Sequence, residues 1–227
     1  MIPGEKERPI IRMYRVHKRF GSKAALTDIS LEINENEFVL ISGASGAGKT
    51  TLLKLIYRGE SASEGQILVD GMNLLRIPRN RIPELRRKLG IIFQDYKLIP
   101  DKTAFENVAL VLEAAGHPRR FIGKKVKSVL RGVGMEEKAD AFPPSLSGGE
   151  QQRVAVARAM VGDPKVILAD EPTGSLDPDS AGVIFSLLEQ YHRKGATLLV
   201  ATHDRDLIRN AGGRVIHLEQ GRLITGR

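Results

Sequence analysis

The chain has 227 residues, with 35 lysines and arginines against 27 aspartates and glutamates, a formal net charge of +8, and no cysteine. This length suits a single domain, and the lack of cysteine excludes a disulfide scaffold, a thiolate zinc site and a cysteine nucleophile. The positive charge favours nucleotides, nucleic acid or an anionic membrane surface as neighbours, without choosing among them. No apolar run approaches the roughly 18 residues that cross a bilayer, so we expect a soluble protein.

The N-terminal part of the sequence reads as a charged tail followed by short strands. Residues 1–10 contain two prolines and no apolar signal core, so we expect a loose tail ahead of one domain at 11–227. Phe38–Ser42 is a continuous apolar run, which is typical of a strand covered on both faces. The elements predicted here are strands at Ile11–Val16, Leu31–Ile33 and Phe38–Ser42, a helix at Lys49–Arg58, a strand at Gly65–Asp70, a basic helix at Ile82–Leu89 and a strand at Gly90–Phe93.

The middle of the chain changes from strands to helices. Apolar residues recur at a period near 3.6 on both sides of a break at Gly116–Pro118, which indicates an all-helical insert over about 100–160. A second glycine-rich turn, Ser147–Gly149, opens the last helix of this insert. The predicted helices are Thr103–Ala115, Arg119–Gly132 and a helix from the second glycine turn to about Val161.

The C-terminal third returns to alternating strands and helices, which indicates an α/β fold with a parallel sheet. No unit of about 20–50 residues repeats along the chain, so a solenoid is excluded. The predicted elements are a strand at Lys165–Ala169, a helix at Pro178–Lys194, a strand at Thr197–Thr202, a helix at Asp204–Asn210, and a hairpin of Arg214–Leu218 with Leu223–Ile224.

A glycine-rich segment between a predicted strand and a predicted helix matches the phosphate-binding loop pattern G-x-x-x-x-G-K-[ST]. Its glycines let backbone N–H groups point into one concavity, Lys49 reaches the terminal phosphates and Thr50 offers a hydroxyl to Mg²⁺. A chance glycine-rich turn is the alternative, and the flanking strand and helix disfavour it. The residues predicted to bind ATP here are Gly43, Ala44, Ser45, Gly46, Ala47, Gly48, Lys49, Thr50 and Thr51.

A second apolar strand, about 120 residues further on, ends in two adjacent carboxylates, Asp170 and Glu171. Because the carboxyl ends of parallel strands meet at one edge of a sheet, Asp170 can hold Mg²⁺ through water and Glu171 can polarise an attacking water. Taken alone, such a pair is more often a helix cap or a solvated turn. The prediction therefore depends on the phosphate loop.

Four further motifs are Gln94 at the end of a predicted strand, Leu146–Glu150 followed by Gln151–Arg153, Ser175–Asp177, and His203. Together with the two elements above, they resemble the Q-loop, signature, D-loop and switch histidine of the ATP-binding cassette family, and the resemblance covers Ile11 to about Leu223. The resemblance implies a P-loop NTPase core with a mostly parallel sheet, an N-terminal antiparallel β subdomain and an α-helical insert. The roles that it implies are catalysis for Glu171, His203 and Gln94; Mg²⁺ binding for Thr50, Gln94 and Asp170; the family signature for Leu146, Ser147, Gly148, Gly149 and Glu150; and the D-loop for Ser175, Leu176 and Asp177.

The resemblance also implies a homodimer that forms on ATP binding, with Mg²⁺ as cofactor. In the family two cassettes face head to tail, so that Ser147 and Gly149 of one subunit close over the γ-phosphate held by Lys49 of the other. Phe20 resembles the aromatic residue that stacks on adenine. Phe20 could equally be a core residue, and Tyr14 is a rival for the stacking role.

Several of these positions have a plainer interpretation. A lone histidine is more often a surface or core residue, but the Thr-His-Asp sequence after a predicted strand favours the switch role for His203. Gln94 could simply end a strand. The basic residues of Arg86–Lys88 and Arg119–Arg131 read first as a solvated helical face and second as a surface for an anionic membrane. Aromatic residues total 5% and do not alternate with basic ones, so we expect no direct nucleic-acid binding.

Two other classes of function are disfavoured. A cassette acting on DNA or ribosomes would need a long coiled coil or a second set of motifs, and the chain has one copy of each motif. A switch that only binds nucleotide would lack the carboxylate of Glu171 or the imidazole of His203, and both are present.

Within the family, the motif details are most similar to the bacterial cell-division branch, and Asp95 directly after Gln94 weighs most. Ser175, where close relatives often have Asn, is a mild departure. The likeness implies a peripheral ATPase on the cytoplasmic face of the inner membrane, with an integral membrane partner of the FtsX type that docks at Gln94 and Asp95. Dimer closure would then regulate septal cell-wall hydrolysis. The alternative is the ATPase subunit of a lipoprotein-release or macrolide-export transporter.

Overall fold

The computed structural model describes residues 9–210 and 212–224. Most of the expected tail, residues 1–8, lies outside this described part. Pro9 and Ile10 belong to the first strand, and Ile10 is buried against the core. The first strand therefore begins two residues before the expected domain boundary.

The described residues form ten strands and seven α-helices. The strands are β1 (Pro9–Phe20), β2 (Lys23–Asn34), β3 (Phe38–Ser42), β4 (Glu64–Val69), β5 (Met72–Asn73), β6 (Leu89–Ile92), β7 (Val166–Asp170), β8 (Thr197–Thr202), β9 (Arg214–Glu219) and β10 (Arg222–Ile224). The helices are α1 (Lys49–Ile56), α2 (Ile82–Arg87), α3 (Ala104–Ala114), α4 (Arg119–Gly132), α5 (Gly148–Met160), α6 (Pro178–Arg193) and α7 (Arg205–Asn210). Within the described residues, none of the helices combines the length and the hydrophobicity that a membrane span requires.

Two sheets organise the domain. The larger has six strands in the order β10-β9-β3-β8-β7-β6, and every pair except the antiparallel β10–β9 is parallel. The smaller is antiparallel, in the order β2-β1-β4-β5. The order of the larger sheet brings the carboxyl ends of β3, β7 and β8 side by side, which is where a doubly wound sheet binds its ligand. The predicted fold class is confirmed.

The larger sheet separates two hydrophobic cores. Side chains alternate along a strand, so Leu40 of β3 packs into the core beside α3, α5 and α6, whereas Val39 and Ile41 pack into the core beside α1 and the smaller sheet. Strands β7 and β8 divide their side chains in the same way. This burial on both faces explains why these strands are continuous apolar runs.

The predicted helical insert is formed by α3, α4 and α5, which pack on one another. Helix α4 buries Ile122, Val126, Val129 and Leu130. Its basic side chains lie on the opposite, largely exposed face, and Lys125 pairs with Asp163 at 2.6 Å. The charge of α4 therefore lies on a largely solvated helical face.

Several predicted boundaries are wrong. Strand β2 begins at Lys23, eight residues before the predicted Leu31, because antiparallel pairing with β1 extends along a segment without regular alternation. Helix α1 ends at Ile56 rather than Arg58, since Arg58 adopts a left-handed φ of 58°. The two-residue strand β5 was not predicted at all.

Candidate functional site

The phosphate loop joins the buried strand β3 to helix α1. Gly46 and Gly48 have φ angles of 79° and 108°, a region that other residues adopt only with strain. Gly48 also packs closely, because a Cβ atom there would lie 2.8 Å from Cδ2 of Leu26 in β2. The glycines are thus needed for the turn and for the approach of the smaller sheet.

Helix α1 begins without any capping side chain. Its N-cap residue is Gly48, which has no side chain to accept a hydrogen bond, and none of the described residues of its first turn is acidic. No capping side chain of Gly48 competes for the first N–H groups, so this helix end can stabilise an anion.

Lys49 lies at the centre of the candidate site, and its side chain is 6% exposed. Its Nζ atom donates hydrogen bonds to the carbonyl oxygens of Gly43 at 2.7 Å and Ala44 at 3.3 Å. The same atom lies 3.3 Å from Oε1 of Glu171. The ammonium group is held by loop carbonyls and a carboxylate at the edge where β3 and β7 end.

Thr50 and Asp170 form the second contact across this edge. The Thr50 hydroxyl donates to Oδ1 of Asp170 at 3.0 Å. Burial raises the pKa of the Asp170 carboxyl; the Thr50 hydrogen bond opposes this rise and the charge of Glu171 adds to it. A hydroxyl and a carboxylate are hard oxygen ligands that suit Mg²⁺ bound mainly through substrate phosphates. Their chemistry fits that ion.

Glu171 is positioned by its backbone as well as by its side chain. Its φ of 46° is left-handed, and its N–H donates to the carbonyl of Ala201 in β8 at 2.8 Å. Nδ1 of His203 lies 2.9 Å from Oε1 of Glu171, and the His203 N–H donates to Oε2 at 3.3 Å. Non-glycine residues with a left-handed φ are strained, and they occur frequently at functional sites. Glu171 thus joins the ends of β7 and β8 to the phosphate loop.

Gln94 lies just after β6, on the wall of a groove of about 670 Å³. Thr50 and Asp170 line the same groove, and the exposed Asp95 lines it beside Gln94. The structure therefore brings the predicted Mg²⁺ residues and the predicted partner residues onto one continuous surface. We call this groove the Q groove.

Two tyrosines of the Q groove were missed by sequence reasoning. Tyr57 follows α1, and burial together with the charge of Asp170 raises the pKa of its phenol. Tyr96 follows Asp95, and its hydroxyl lies 3.1 Å from Oγ of Ser175 in the D-loop. Proximity to Gln94 in sequence was the one signal that could have singled out Tyr96.

The signature segment forms the start of α5 and is capped internally. The Ser147 hydroxyl accepts a hydrogen bond from the Glu150 N–H at 3.3 Å, and Glu150 Oε2 accepts one from the Ser147 N–H at 3.0 Å. Gly149 lies against α6, since a Cβ atom there would lie 2.6 Å from Oγ of Ser180. None of the described residues lining the Q groove, or the cavity of about 630 Å³ over the phosphate loop, belongs to Leu146–Glu150.

The D-loop leads from Glu171 into α6. Asp177 caps α6 by accepting a hydrogen bond from the Ser180 N–H at 2.9 Å, which lowers the pKa of the Asp177 carboxyl. Leu176 packs against the core that contains α5 and α6. Ser175 is exposed and faces the Q groove.

Phe20 and Tyr14 are both exposed on β1, at 47% and 56%. Phe20 pairs with Lys23 at the hairpin end next to Ala25, whose carbonyl oxygen closely approaches Gly48 of the phosphate loop. Tyr14 lies near Ile29–Leu31, about five residues and roughly 15 Å further along β2. This placement favours Phe20 for contact with a base whose phosphates lie on the loop.

Several known proteins are similar to this chain in sequence and in fold. The chain is 45% identical over 216 residues to the cell division ATP-binding protein FtsE of Streptococcus pneumoniae, covering 95% of this chain and 94% of that protein. It is 44% identical over 218 residues to the FtsE protein of Escherichia coli K12, covering 96% and 98%. The fold matches a dimeric post-hydrolysis state of the ATP-binding cassette MJ0796 bound to ADP and Pi, with a TM-score of 0.88, 36% identity, and 95% and 97% of the two chains covered.

Residues 26–174 also match the family model described as ABC transporter. This range includes the phosphate loop, the signature and both carboxylates at the end of β7. It amounts to more than half of the chain, and the full-length relatives extend the match over nearly all of it. The chain therefore belongs to the ABC transporter family, as an ATPase that binds and hydrolyses ATP.

Proposed function

We propose that this chain is the cytoplasmic ATPase subunit of a membrane complex that acts in bacterial cell division with an FtsX-type partner. The observation that carries the proposal is the 44–45% identity to cell division ATP-binding proteins over 94–98% of their length. Such coverage leaves no extra domain in those relatives to account for a different function. ATP-driven dimer closure would move the membrane partner and regulate septal cell-wall hydrolysis.

In this proposal Glu171 is the general base. Its carboxylate accepts a proton from the attacking water, and His203, 2.9 Å from Oε1, orients that carboxylate and the terminal phosphate. Lys49 shifts from Glu171 and the loop carbonyls onto the phosphates when ATP binds, because a triphosphate supplies more negative charge than these partners. Binding thereby frees the base for catalysis.

Thr50, Gln94 and Asp170 are proposed to hold Mg²⁺. The contact between Thr50 and Asp170 at 3.0 Å and the position of Gln94 on the same groove support this set. When bound, the ion neutralises charge on the phosphates. Asp170 must be ionised for this role, so the burial that raises its pKa is offset once a cation is bound.

The proposed active unit is a homodimer. Ser147 and Gly149 of one subunit would contact the phosphates bound by Lys49 of the other, as in a head-to-tail cassette pair. None of the described residues lining the cavity over the phosphate loop belongs to the signature, which supports a shared site, and the dimeric state of the MJ0796 cassette is a precedent. ATP then acts as the ligand that links the two subunits.

The Q groove is the proposed docking site of the membrane partner, with Gln94 and Asp95 in its wall. It opens beside the Mg²⁺ residues, so occupancy and hydrolysis can be linked equilibria. The chain would accordingly be a peripheral subunit on the cytoplasmic face of the inner membrane.

The test is capture of the partner from the source cells. A tagged chain is recovered from detergent extract, with a charge-reversed variant, Asp95→Lys, and a surface control, Glu189→Lys, run in parallel. We expect the wild type and the control to retain an FtsX-type protein, and Asp95→Lys to lose it without a change in ATP affinity. Recovery of a lipoprotein-release or macrolide-export permease instead would contradict the cell-division assignment.

A further inference from the structure

Tyr96 lies where three functional segments meet. Its hydroxyl is 3.1 Å from Oγ of Ser175 in the D-loop, and Tyr96 lines the Q groove together with Asp95. The same hydroxyl faces the signature, because a Cβ atom at Gly148 would lie 3.0 Å from it. One side chain thus lines the proposed docking surface, lies within hydrogen-bond distance of the D-loop and lies close to the first turn of α5.

The backbone at Tyr96 is held in an unusual conformation. Tyr96 and Lys97 have left-handed φ angles of 57° and 50° in succession. Arg158 of α5 donates one hydrogen bond to each of their carbonyl oxygens, both at 2.6 Å. Burial lowers the pKa of the Arg158 guanidinium, which nevertheless stays charged because arginine titrates far above neutral pH. These two bonds are charge-assisted and fix the direction in which the Tyr96 side chain leaves the chain.

The other end of the contact is attached to the proposed general base. The N–H of Gly174 donates to the carbonyl of Glu171 at 3.2 Å, which closes a tight turn between the base and Ser175. A displacement of Ser175 is therefore transmitted through a turn of only a few residues to the strained backbone of Glu171. The Tyr96 hydroxyl is hydrogen-bonded to Ser175, the residue that directly follows this turn.

We propose that Tyr96 is a positioning residue that links occupancy of the Q groove to the placement of Glu171, through its hydrogen bond to Ser175. The link to a docked partner rests on the proposed function, whereas the effect on basal hydrolysis does not. A segment that fills the groove would contact Tyr96, which lines it, and the Arg158 bonds hold the backbone from which the Tyr96 hydroxyl reaches the D-loop. Loss of the hydroxyl leaves the groove intact but removes the connection.

The proposal is tested by a double-mutant cycle on basal ATP hydrolysis. Tyr96→Phe and Ser175→Ala each remove one partner of the same bond, so each should lower kcat about 2- to 12-fold, the range expected for one hydrogen bond. KM for ATP should stay unchanged. The double variant should be no slower than the slower single variant, because the bond can be lost only once. Effects that multiply in the double variant, or an unchanged kcat for Tyr96→Phe, would overturn the proposal.

Two controls separate positioning from general damage. Tyr191→Phe makes the same chemical change on α6, away from the Q groove, and should leave kcat unchanged. Tyr96→Phe should remain fully folded at the assay temperature, as measured by circular dichroism, with a melting temperature no more than a few degrees below that of the wild type. A fall in kcat that follows a loss of folded protein at the assay temperature would count against a positioning role.

A second experiment, with the membrane partner bound, tests the proposed link between occupancy of the Q groove and hydrolysis. With the captured membrane partner in detergent, Tyr96→Phe should still bind the partner, but the ratio of stimulated to basal kcat should fall. An undiminished ratio would refute the link to the groove. If the wild type captures no membrane partner, the proposed function fails, while the basal cycle still decides whether Tyr96 positions the D-loop.

Discussion

The two glycine-rich helix starts of this chain differ in how their backbone groups are satisfied. Helix α1 begins at a left-handed Gly48 without a capping side chain or an acidic residue in its first turn. Helix α5 begins with a reciprocal capping box between Ser147 and Glu150, so the backbone N–H groups of both residues are already hydrogen-bonded. The Glu150 carboxylate also partly neutralises the positive end of the helix dipole. Free N–H groups and an uncompensated dipole attract anions, and capped ones do so less.

Because of this difference, we expect the N-terminal ends of α1 and α5 to have different functions. The start of α1 can bind phosphate within one subunit, where Lys49 adds a positive charge and Asp170, beside Thr50, is proposed to hold Mg²⁺. The start of α5 is stable on its own and has weak attraction for free anion. It becomes useful only where another subunit presents a bound triphosphate, which is why we expect α1 to govern nucleotide affinity and α5 to govern assembly.

The largest expected effect is on the rate of ATP hydrolysis, in a variant that still binds ATP. Glu171→Gln keeps the size of the side chain but removes the base, so we expect hydrolysis to slow at least about 100-fold while ATP still binds. The variant should accumulate as a closed dimer with Mg-ATP, measured by light scattering. Glu189→Gln on α6 is the matched surface control and should hydrolyse normally. A purely monomeric Glu171→Gln with Mg-ATP would contradict a shared site.

Removal of the lysine tests the first helix start. Lys49→Ala deletes the cation at the loop, and we expect it to abolish stabilisation by ATP. For the wild type at about 100 times Kd this stabilisation is about 2.7 kcal/mol, or roughly 5–10 °C in melting temperature. Lys124→Ala, on the exposed face of α4, should keep the full shift. An unchanged shift in Lys49→Ala would remove Lys49 from the nucleotide site.

Removal of the cap tests the second helix start. Ser147→Ala should lower stability by about 1 kcal/mol, the usual cost of a lost N-cap. We expect it to keep the ATP-induced melting shift, but to prevent dimer formation when it is combined with Glu171→Gln. Thr103→Ala is a close control, because Thr103 and Glu106 form the same capping box at the start of α3. If Ser147→Ala and Thr103→Ala impair the dimer equally, capping and not the signature explains the effect.

The sequence predicted the phosphate loop and the buried strands well, because each is a local pattern. Phe38–Ser42 is apolar throughout since both of its faces are covered, and Gly43–Thr50 needs its residues at fixed spacing. Contacts between distant segments left no such pattern. Ser175 lies 79 positions from Tyr96, and Arg158 lies 62 positions from the same residue. Only the folded chain brings these groups together, so the Tyr96 contact could not be predicted.

The smallest expected effect comes from an ion-pair cluster away from both helix starts. Asp70 lies 2.7 Å from Nζ of Lys88 and 3.2 Å from Nζ of Lys165, so it joins the smaller sheet to the starts of β6 and β7. Burial alone would raise the pKa of the Asp70 carboxyl, but hydrogen bonds from the two lysines outweigh burial and lower it. A lowered carboxyl pKa contributes stability above the unfolded-state value, and this contribution is lost as pH falls through the folded-state value.

Asp70→Asn should therefore lower the free energy of unfolding near neutral pH by up to about 1 kcal/mol, the range of partly exposed pairs. The difference from the wild type should shrink as pH falls below about 4, because the wild-type carboxylate is then protonated as well. Urea unfolding followed by circular dichroism between neutral and acid pH measures it. The ATP-induced shift of the melting temperature should be the same in both proteins, because the Asp70 cluster contacts neither the start of α1 nor that of α5. A smaller shift in Asp70→Asn would mean that packing of the smaller sheet affects nucleotide affinity.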